Sequence, residues 1–478
     1  MATEHEPASS PNAPAPTHPV TPGGTPLSAG EGPLRMGLGL WLGAYRVEVA
    51  LFALSFLVLA GFSGERFLRQ SAAPHFIYQA QAWLEGRLDI APDVLPNMED
   101  WACVKQEGGS HQRCTRPNDP ANRWYVSFPP FPALLMLPFV AVNGYQLNDT
   151  SFGVIVGALV VALFYALLRL LTRDGESVRS EQENAVLALL FGFGTLFFYC
   201  AIRGEVWFSA EVLGAALTCI YMRNAVKAHR PVLAGFAWSM AVLTRTPLLF
   251  TGLFFVLEAL FPENRPWGEQ WARFRAQPRP VLKKLALFAA GAAPLGLAGA
   301  WFNLARFGKV TEFGHAFFFN NRVNADIDQY GLFNLHYLWR NVESAFLMLP
   351  KVATNPLRLS YDPNGLSLLL TLPLLVFLLA PREKPRLTRA LWLTVAVTAL
   401  PGLLYQNNGY MQFGFRFSLD YTPYLMTLFA LGGWSLRHRA VMAAAALGVL
   451  VNTWGATAFS GYTEYVRQRE AARSGRAP

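Results

Sequence analysis

Charged residues are scarce in this chain. Only 15% of its 478 residues are Asp, Glu, Lys or Arg, whereas 53% are hydrophobic and 14% are aromatic. A soluble globular domain has about a quarter charged residues. Because apolar runs also recur along the whole length, the composition excludes one or two soluble domains and predicts a polytopic membrane protein.

The apolar runs lack the alternation of polar and apolar residues that a transmembrane barrel needs, so we predict all-α spans. The chain also shows no clear internal repeat of the kind that many transporters have. Its formal charge of +9 comes from Lys and Arg that lie mainly in short loops between the runs. That distribution indicates membrane topology and argues against a nucleic-acid partner.

Residues 1–34 have almost no large apolar side chains and are rich in Pro, Ala, Ser, Thr and Gly. We expect this segment to be a disordered cytoplasmic tail. It lacks the basic start and apolar core of a secretory signal. The transmembrane domain is predicted over 35–461, followed by a polar C-terminal tail over 462–478.

About eleven transmembrane helices are predicted, each boundary being good to a few residues. They cover 45–62, 152–171, 185–202, 206–222, 231–245, 247–261, 284–302, 366–380, 390–405, 419–434 and 440–458.

One further apolar run, 131–142, is too short to cross a hydrocarbon core of about 30 Å, so we place it in the interface. With a cytoplasmic N-terminus, the five inner loops then hold 3, 3, 6, 4 and 2 Lys or Arg residues, as the positive-inside rule requires. Two large outer loops follow, 63–151 and 303–365. Each is expected to carry an interfacial amphipathic helix, the second over 333–349.

Two cysteines, Cys103 and Cys114, lie in the first outer loop. An outer compartment and a polar Gly/Ser/Asn-rich insert favour a disulfide between them. A metal site that adds His111 has too few ligands and poor spacing, so no metal site is predicted. Cys200 and Cys219 fall in adjacent spans, where we expect them to be packing residues.

Three short outer turns each contain one arginine, namely Arg203, Arg245 and Arg416. A single one could snorkel to lipid headgroups or pair with a carboxylate, as Arg203 could with Glu205. Three arginines at one face favour an anion site, because the forked guanidinium suits phosphate.

Candidate general bases lie in the first outer loop. His75 could act because its pKa is near neutrality, or it could cap the helix that begins after Pro74. On that helix His75, Gln79, Ala82 and Glu85 share one face, which predicts an amphipathic interfacial helix. The competing carboxylates are Asp89, Asp93, Glu99 and Asp100.

Several segments in order resemble the GT-C superfamily, specifically family-39-like membrane glycosyltransferases. The segment YVSFPPFPALLMLPFVAVNG resembles the family's interfacial helix, and PVLAGFAWSMAVLTRTPLLF resembles the segment whose basic residue, here Arg245, contacts lipid phosphate. WFNLARFG and GFRFSLDYTPYL resemble two further signatures. The family's acidic D-E-x-x-Y motif reads PHFIY here, which keeps Tyr78 but leaves the base to His75 or a carboxylate such as Asp89 or Asp100.

The resemblance implies an integral-membrane glycosyltransferase of the bacterial plasma membrane. It would transfer a hexosyl or pentosyl group, with inversion, from a polyprenyl-phosphate sugar to a glycan, lipid or protein acceptor on the outer face. Membrane lipids are the other partners. No cofactor is required by the sequence, and dependence on a divalent metal is left open. The alternatives are a transporter or flippase of lipid-linked intermediates and a non-catalytic GT-C relative.

Overall fold

A computed structural model describes residues 44–95, 100–107, 110–116, 119–319, 321–354, 357–360 and 362–473. The predicted tail over 1–34 therefore lies outside the described residues. From Val47 onward the chain forms one compact unit.

The described chain is mainly helical. Its α-helices are α1 Arg46–Ser63, α2 His75–Leu84, α3 Phe131–Asn143, α4 Asp149–Arg173, α5 Glu181–Phe193, α6 Phe197–Ala201, α7 Val206–Ala225, α8 Pro231–Val242, α9 Gly252–Leu260, α10 Trp267–Ala276, α11 Arg279–Phe307, α12 Asn321–Tyr330, α13 Leu338–Val342, α14 Leu368–Thr371, α15 Leu387–Leu404, α16 Thr422–Leu431 and α17 Arg439–Arg473.

Five helices in the described part of the chain are long and apolar enough to cross a membrane. They are Arg46–Leu68 (α1 with its 3-10 extension), α4, α11, α15 and the Arg439–Phe459 part of α17. The chain is thus a membrane protein, while the count of eleven spans remains a prediction. Helix α17 runs on to Arg473, and its 35 residues at about 1.5 Å each exceed a hydrocarbon core of about 30 Å.

Several of the other predicted spans are short helices joined to 3-10 turns. The predicted span 366–380 divides into α14 and the 3-10 helix Pro373–Leu378, because proline has no N–H for the helical ladder. Similar 3-10 turns, Thr246–Thr251 and Arg416–Asp420, precede α9 and α16. These breaks bring Arg245 and Arg416 to the ends of helices.

The helical core is held by close backbone approach and by aromatic packing. Helices α8 and α11 meet at Gly235 and Gly291, where any larger side chain would collide with the carbonyl of Phe288 or Val232. Small residues permit such contacts between membrane helices. In the main cluster the rings of Phe164 and Phe191 stack with centroids 4.8 Å apart.

The prediction of an all-α protein is wrong for the loops. A three-stranded antiparallel sheet in the first long loop has the order β2-β1-β3, with β1 Trp101–Glu107, β2 Ser110–Arg113 and β3 Asn122–Val126. The expected disulfide joins Cys103 to Cys114 across this sheet. These strands have only four to seven residues, and such short strands have a weaker sequence signal than long apolar helices.

The second long loop contains a β-hairpin and docks on the first sheet. The hairpin pairs β4 Lys351–Thr354 with β5 Leu357–Ser360. Arg113 binds both carboxylate oxygens of Asp328, on α12, at 3.0 Å. The backbone N–H of Phe319 also donates to the carbonyl of Trp101 at 3.1 Å. The two loops therefore form one joined layer.

Helix α2 is not amphipathic as predicted. Both faces are buried, since His75 and Gln79 are as enclosed as Phe76 and Ile77. One side packs on α3, and the other packs on the sheet, where the His75 ring stacks on Trp101 with centroids 4.1 Å apart. The sequence does not predict this sheet, and without the sheet the polar face of α2 would face solvent.

Buried ion pairs join the loops at the end of the helices opposite the two long loops. Arg386 contacts Glu176 at 2.9 Å and Glu258 at 2.8 Å. Lys227 contacts the same Glu176 at 2.9 Å, and its backbone N–H donates to Glu258 at 2.7 Å. This clamp joins the ends of four predicted spans far from the first long loop in sequence.

Candidate functional site

Helix α7 contributes a carboxylate to a buried charged cluster. Its residue Glu211 is fully enclosed, and its Oε1 lies 3.5 Å from Nη1 of Arg245 and 3.4 Å from Nε of Arg416. The thiol of Cys200 lies 3.7 Å from the other carboxylate oxygen. One buried carboxylate thus faces two of the three predicted outer arginines.

Arg245 is held by a second carboxylate from a different part of the chain. Its Nε and Nη2 donate to the two oxygens of Asp420, at 2.5 and 2.8 Å. This bidentate geometry fixes the plane of the guanidinium group. The Phe417 ring lies beside Arg245, with 5.7 Å between ring centre and guanidinium carbon.

Arg416 lies at the start of the 3-10 helix that carries Asp420. Its Nη1 donates to the carbonyl of Gly409 at 2.9 Å, and its backbone N–H donates to Gln412 at 3.0 Å. Its guanidinium carbon lies 5.6 Å from the centre of the Phe208 ring and 5.3 Å from that of Phe417.

Arg203 completes the cluster from the turn between α6 and α7. It donates to both oxygens of Glu205, at 3.3 and 2.9 Å. Burial alone would raise the pKa of Glu205, but Arg203 lowers it below its ordinary value, so the pair stays ionised at neutral pH. Arg203 also lies 5.3 Å from the centre of the Phe208 ring, on which Arg416 lies as well.

The three arginines and the three carboxylates cancel in formal charge, but some of their donors have no partner. Nη1 of Arg203 and Nε of Arg416 are buried without a hydrogen bond, although Arg416 Nε faces Glu211 at 3.4 Å. These side chains are only 9% and 6% exposed. An unmet buried donor costs about 1–3 kcal/mol, more when charged, so the cluster is poised to accept a further hydrogen-bond acceptor.

Asp100 reaches this region from the edge of the first sheet. The Trp207 indole N–H donates to its Oδ2 at 2.9 Å, and the Ser127 hydroxyl donates to its backbone carbonyl at 2.6 Å. Trp207 directly precedes Phe208, whose ring lies beside Arg203 and Arg416, so Asp100 and these two arginines contact consecutive residues of α7. Asp100 has φ of 59°, a left-handed conformation that is uncommon outside glycine and often marks a functional position.

Two further ring systems, Tyr405 and His315, lie near the cluster, since the Tyr405 ring is 6.2 Å from that of Phe417. Asp100, Arg245 and Arg416 all act electrostatically on the Tyr405 hydroxyl. The His315 ring lies 6.1 Å from the Tyr405 ring. Burial and then Arg245 lower the pKa of His315 to about 4, so this imidazole is neutral at neutral pH.

The remaining predicted site residues lie elsewhere in the same layer. Asp89 forms an ion pair with Arg123, at 3.1 Å, on the partly exposed side of the sheet. His75 is fully buried and its ring stacks on Trp101, a packing role that differs from both the base and the helix cap predicted for it. The Tyr78 ring packs 4.8 Å from that of Tyr145. The arginine cluster contains Arg203, Glu205, Arg245 and Arg416 but none of these three residues.

Sequence reasoning missed several members of the cluster. Asp420 has only a weak sequence signal. It lies in the FSLDYTP segment close to Arg416, and that segment resembles the start of a helix. Trp207 and His315 have no motif, and only tertiary contacts bring them to Asp100 and Arg245. Within the described residues, no group of three or more His, Cys, Asp or Glu side chains is arranged to hold a metal ion.

Neither a family model nor a curated protein matches this sequence. Two solved structures are similar to the fold. The apo oligosaccharyltransferase of Archaeoglobus fulgidus aligns with a TM-score of 0.42 and 12% identity, over 86% of this chain and 56% of its own. This chain therefore spans little more than half the length of that protein. ArnT from Cupriavidus metallidurans, solved with bound undecaprenyl phosphate, aligns with a TM-score of 0.45 and 12% identity, over 90% of this chain and 79% of its own.

Proposed function

We propose that this chain is a membrane glycosyltransferase that moves a sugar from a polyprenyl-phosphate donor to an acceptor at the outer face of the bacterial plasma membrane. The observation that carries the proposal is the buried cluster of Arg203, Arg245 and Arg416, together with Asp100, which accepts a hydrogen bond from Trp207, the residue before Phe208. The sequence resemblance to family-39-like GT-C enzymes points to the same activity. A glycan, a lipid or a protein is the acceptor.

The arginines are suited to bind the donor phosphate. Each guanidinium has five N–H donors, and its carboxylate partner occupies only some of them. Nη1 of Arg203 has no hydrogen bond, and Nε of Arg416 has only the 3.4 Å ionic contact with Glu211, so phosphate oxygens could accept hydrogen bonds from both. Fixed cations in a buried site stabilise negative charge more strongly than the same groups do in water.

Asp100 is our choice of general base among His75, Asp89 and Asp100. Its carboxylate is oriented by the Trp207 indole, and its backbone is held by Ser127. The two alternatives are engaged in packing and in a peripheral ion pair. A base must be fixed near the proton it accepts, and a carboxylate with one oriented oxygen meets that requirement.

The reaction is a single displacement at the anomeric carbon. Asp100 accepts the proton of the acceptor hydroxyl while the hydroxyl oxygen forms the new bond to that carbon. The bond between this carbon and the phosphate oxygen breaks, and its electron pair leaves on the lipid phosphate. Arg245 and Arg416 stabilise the charge that grows there, and one displacement inverts the configuration.

Replacement of Arg245 or Arg416 by Ala should lower turnover by about 10²–10³, the loss seen when a preorganised charge donor is removed. Arg245→Lys should do less harm because it keeps the charge and loses only the fork. The assay follows release of free polyprenyl phosphate by purified protein in nanodiscs, per folded molecule. Arg386→Ala is the matched control, since it breaks a buried ion pair remote from the cluster and should destabilise the protein with turnover per folded molecule retained.

The base assignment has its own test. Asp100→Asn keeps the shape and can still accept from Trp207, so we expect donor binding to persist and turnover to fall by about 10²–10⁴. Asp89→Asn should leave turnover near the native value. Full turnover in Asp100→Asn would move the base elsewhere. If native protein releases no polyprenyl phosphate but moves the lipid across the bilayer, the chain is a transporter; if it does neither, it is a non-catalytic relative.

A further inference from the structure

The second long loop presents an apolar surface that no part of the described chain covers. Its members are large exposed hydrophobic side chains, and we call them the apolar rim: Leu335, Trp339, Leu347, Leu349, Val352 and Leu359. Trp339 is 69% exposed and Val352 is 59% exposed. Exposed apolar patches of this kind mark contact with a membrane or with another protein.

Hydrogen bonds fix one end of this segment at the end of a membrane-spanning helix. Helix α15 ends at Leu404, whose carbonyl accepts from the backbone N–H of Asn334 at 2.9 Å. The Asn341 side chain donates to the carbonyls of Leu403 and Tyr405, at 3.0 and 2.7 Å. Leu335 and Trp339 are therefore held at the level where α15 leaves the membrane.

The other end of the segment is fixed at the predicted entry into the next span. Ser367, which caps α14, donates its hydroxyl to the carbonyl of Phe346 at 2.7 Å and its backbone N–H to that of Met348 at 2.9 Å. Leu347 and Leu349 are thus held beside the start of α14. The hairpin of β4 and β5 starts directly after them.

The hairpin has two chemically different faces. Val352 and Leu359 are directly paired across the strands, so their side chains share one face, and Leu359 is 57% exposed. The neighbouring pair, Lys351 and Ser360, lies on the opposite face, where Lys351 contacts Asp362 at 2.6 Å. An apolar face against lipid and a polar face against water is the expected arrangement at an interface.

We infer that the apolar rim is inserted into the leaflet at the Leu404 end of α15, with the β4–β5 hairpin lying in the interface and its Val352 and Leu359 side chains among the acyl chains. The hydrogen bonds to the end of α15 and those from Ser367 set its depth. Trp339 has the amphipathic ring that membrane interfaces favour. The inference does not depend on the proposed activity. It adds that the lipid surface lies close to the arginine cluster, because Tyr405 contacts both Phe333 and Phe417, with ring centroids 5.5 and 6.2 Å apart.

The test is the collision accessibility of nitroxide spin labels on single cysteines in full-length protein in phosphatidylcholine nanodiscs. Labels at Val352→Cys and Leu359→Cys should have an oxygen-to-nickel-chelate accessibility ratio several-fold above that at Ala121→Cys, an exposed position near the first sheet. Ser360→Cys is the matched control, because it is one residue from Leu359 on the polar face. The remaining thiols, Cys200 and Cys219, are buried, and the protein without an added cysteine gives the labelling blank.

Three outcomes would overturn the inference. Chelate collisions at 352 and 359 equal to those at 121 would mean that the rim faces water. Protection from both oxygen and chelate would mean that a protein surface, such as a second copy of this chain, covers it. Loss of the distinction between 359 and 360 would show that the hairpin does not have the two faces described.

Discussion

At the residue scale, the three arginines predicted to lie outside have carboxylate partners, and these partners bear on whether the arginines are structural or bind a ligand. Taken singly, Arg203, Arg245 and Arg416 pair with Glu205, Asp420 and Glu211, which is the ordinary structural role of a buried arginine. Taken together, they are linked through two rings, since Arg203 and Arg416 lie beside Phe208 while Arg245 and Arg416 lie beside Phe417, and they leave buried N–H groups without a hydrogen bond. Ion pairing explains how the charges are tolerated, and the unmet donors are the part that points to a ligand.

His315 should make the stability of the protein depend on pH. Its pKa is about 4 in the folded protein and about 6.5 in an unfolded chain, so only the unfolded chain gains a proton as the pH falls below 6.5. Its contribution to the free energy of unfolding is whole above pH 6.5 and is lost progressively down to pH 4. At pH 5 the loss should be about 1–2 kcal/mol, reduced because the ring is only half-buried.

The measurement compares unfolding of the native protein with that of His315→Gln between pH 7 and pH 5. Glutamine is polar and does not titrate in this range, while the carboxylates common to both proteins cancel in the difference. The native protein should lose more stability on acidification. Parallel pH dependence in the two proteins would contradict the lowered pKa.

At the element scale, short strands connect the two long loops. Strand β1 carries Trp101, which stacks on His75 and accepts a backbone hydrogen bond from Phe319. Strand β2 ends in Arg113, which binds Asp328. The disulfide fixes β1 to the chain just after β2, so it determines where Arg113 meets the second loop.

Removal of the disulfide should loosen both loops. In the variant Cys103→Ser with Cys114→Ser we expect a loss of about 2–3 kcal/mol, as for other short disulfide loops. Because Arg113 is adjacent to Cys114, hydrogen exchange should rise in α12 as well as in β1 and β2. Dithiothreitol should have the same effect on native protein and none on the variant. Unchanged exchange in α12 would show that the loops are held together without the disulfide.

At the scale of the whole molecule, charge is arranged in two layers. The clamp around Arg386 lies among the basic loops that we predict to be inside, and the cluster around Arg245 lies beside the long loops that we predict to be outside. Apolar helices separate the layers, so each network is confined to its own end. This separation is what allows Arg386→Ala to serve as a control for the arginine cluster.

Cysteine labelling checks the predicted sidedness. Ala121 and Ala272 are exposed alanines in the first long loop and in α10, so Ala→Cys at each is a matched pair. A membrane-impermeant maleimide added to intact cells should label position 121 and leave 272 unlabelled until the cells are opened. The native free thiols are buried and add little background. Labelling of 272 from outside would invert or break the predicted topology.

The sequence by itself determined the membrane class, the long apolar segments that form membrane-spanning helices, the disulfide partners and the presence of three isolated arginines between apolar runs. Long apolar runs and lone charges between them carry that information locally, since burial in lipid acts on each segment separately. Nothing in the sequence could decide between His75, Asp89 and Asp100, because all three are polar residues of one loop.

Only the tertiary structure decided which residues meet. Asp100 reaches Trp207 because the first sheet folds onto α7, and Arg245 meets Asp420 over a separation of 175 residues. The sequence does not predict the sheet for the same reason, since short strands are defined by their partners more than by their own composition. Contacts of this kind depend on packing between distant elements, which a single sequence does not display.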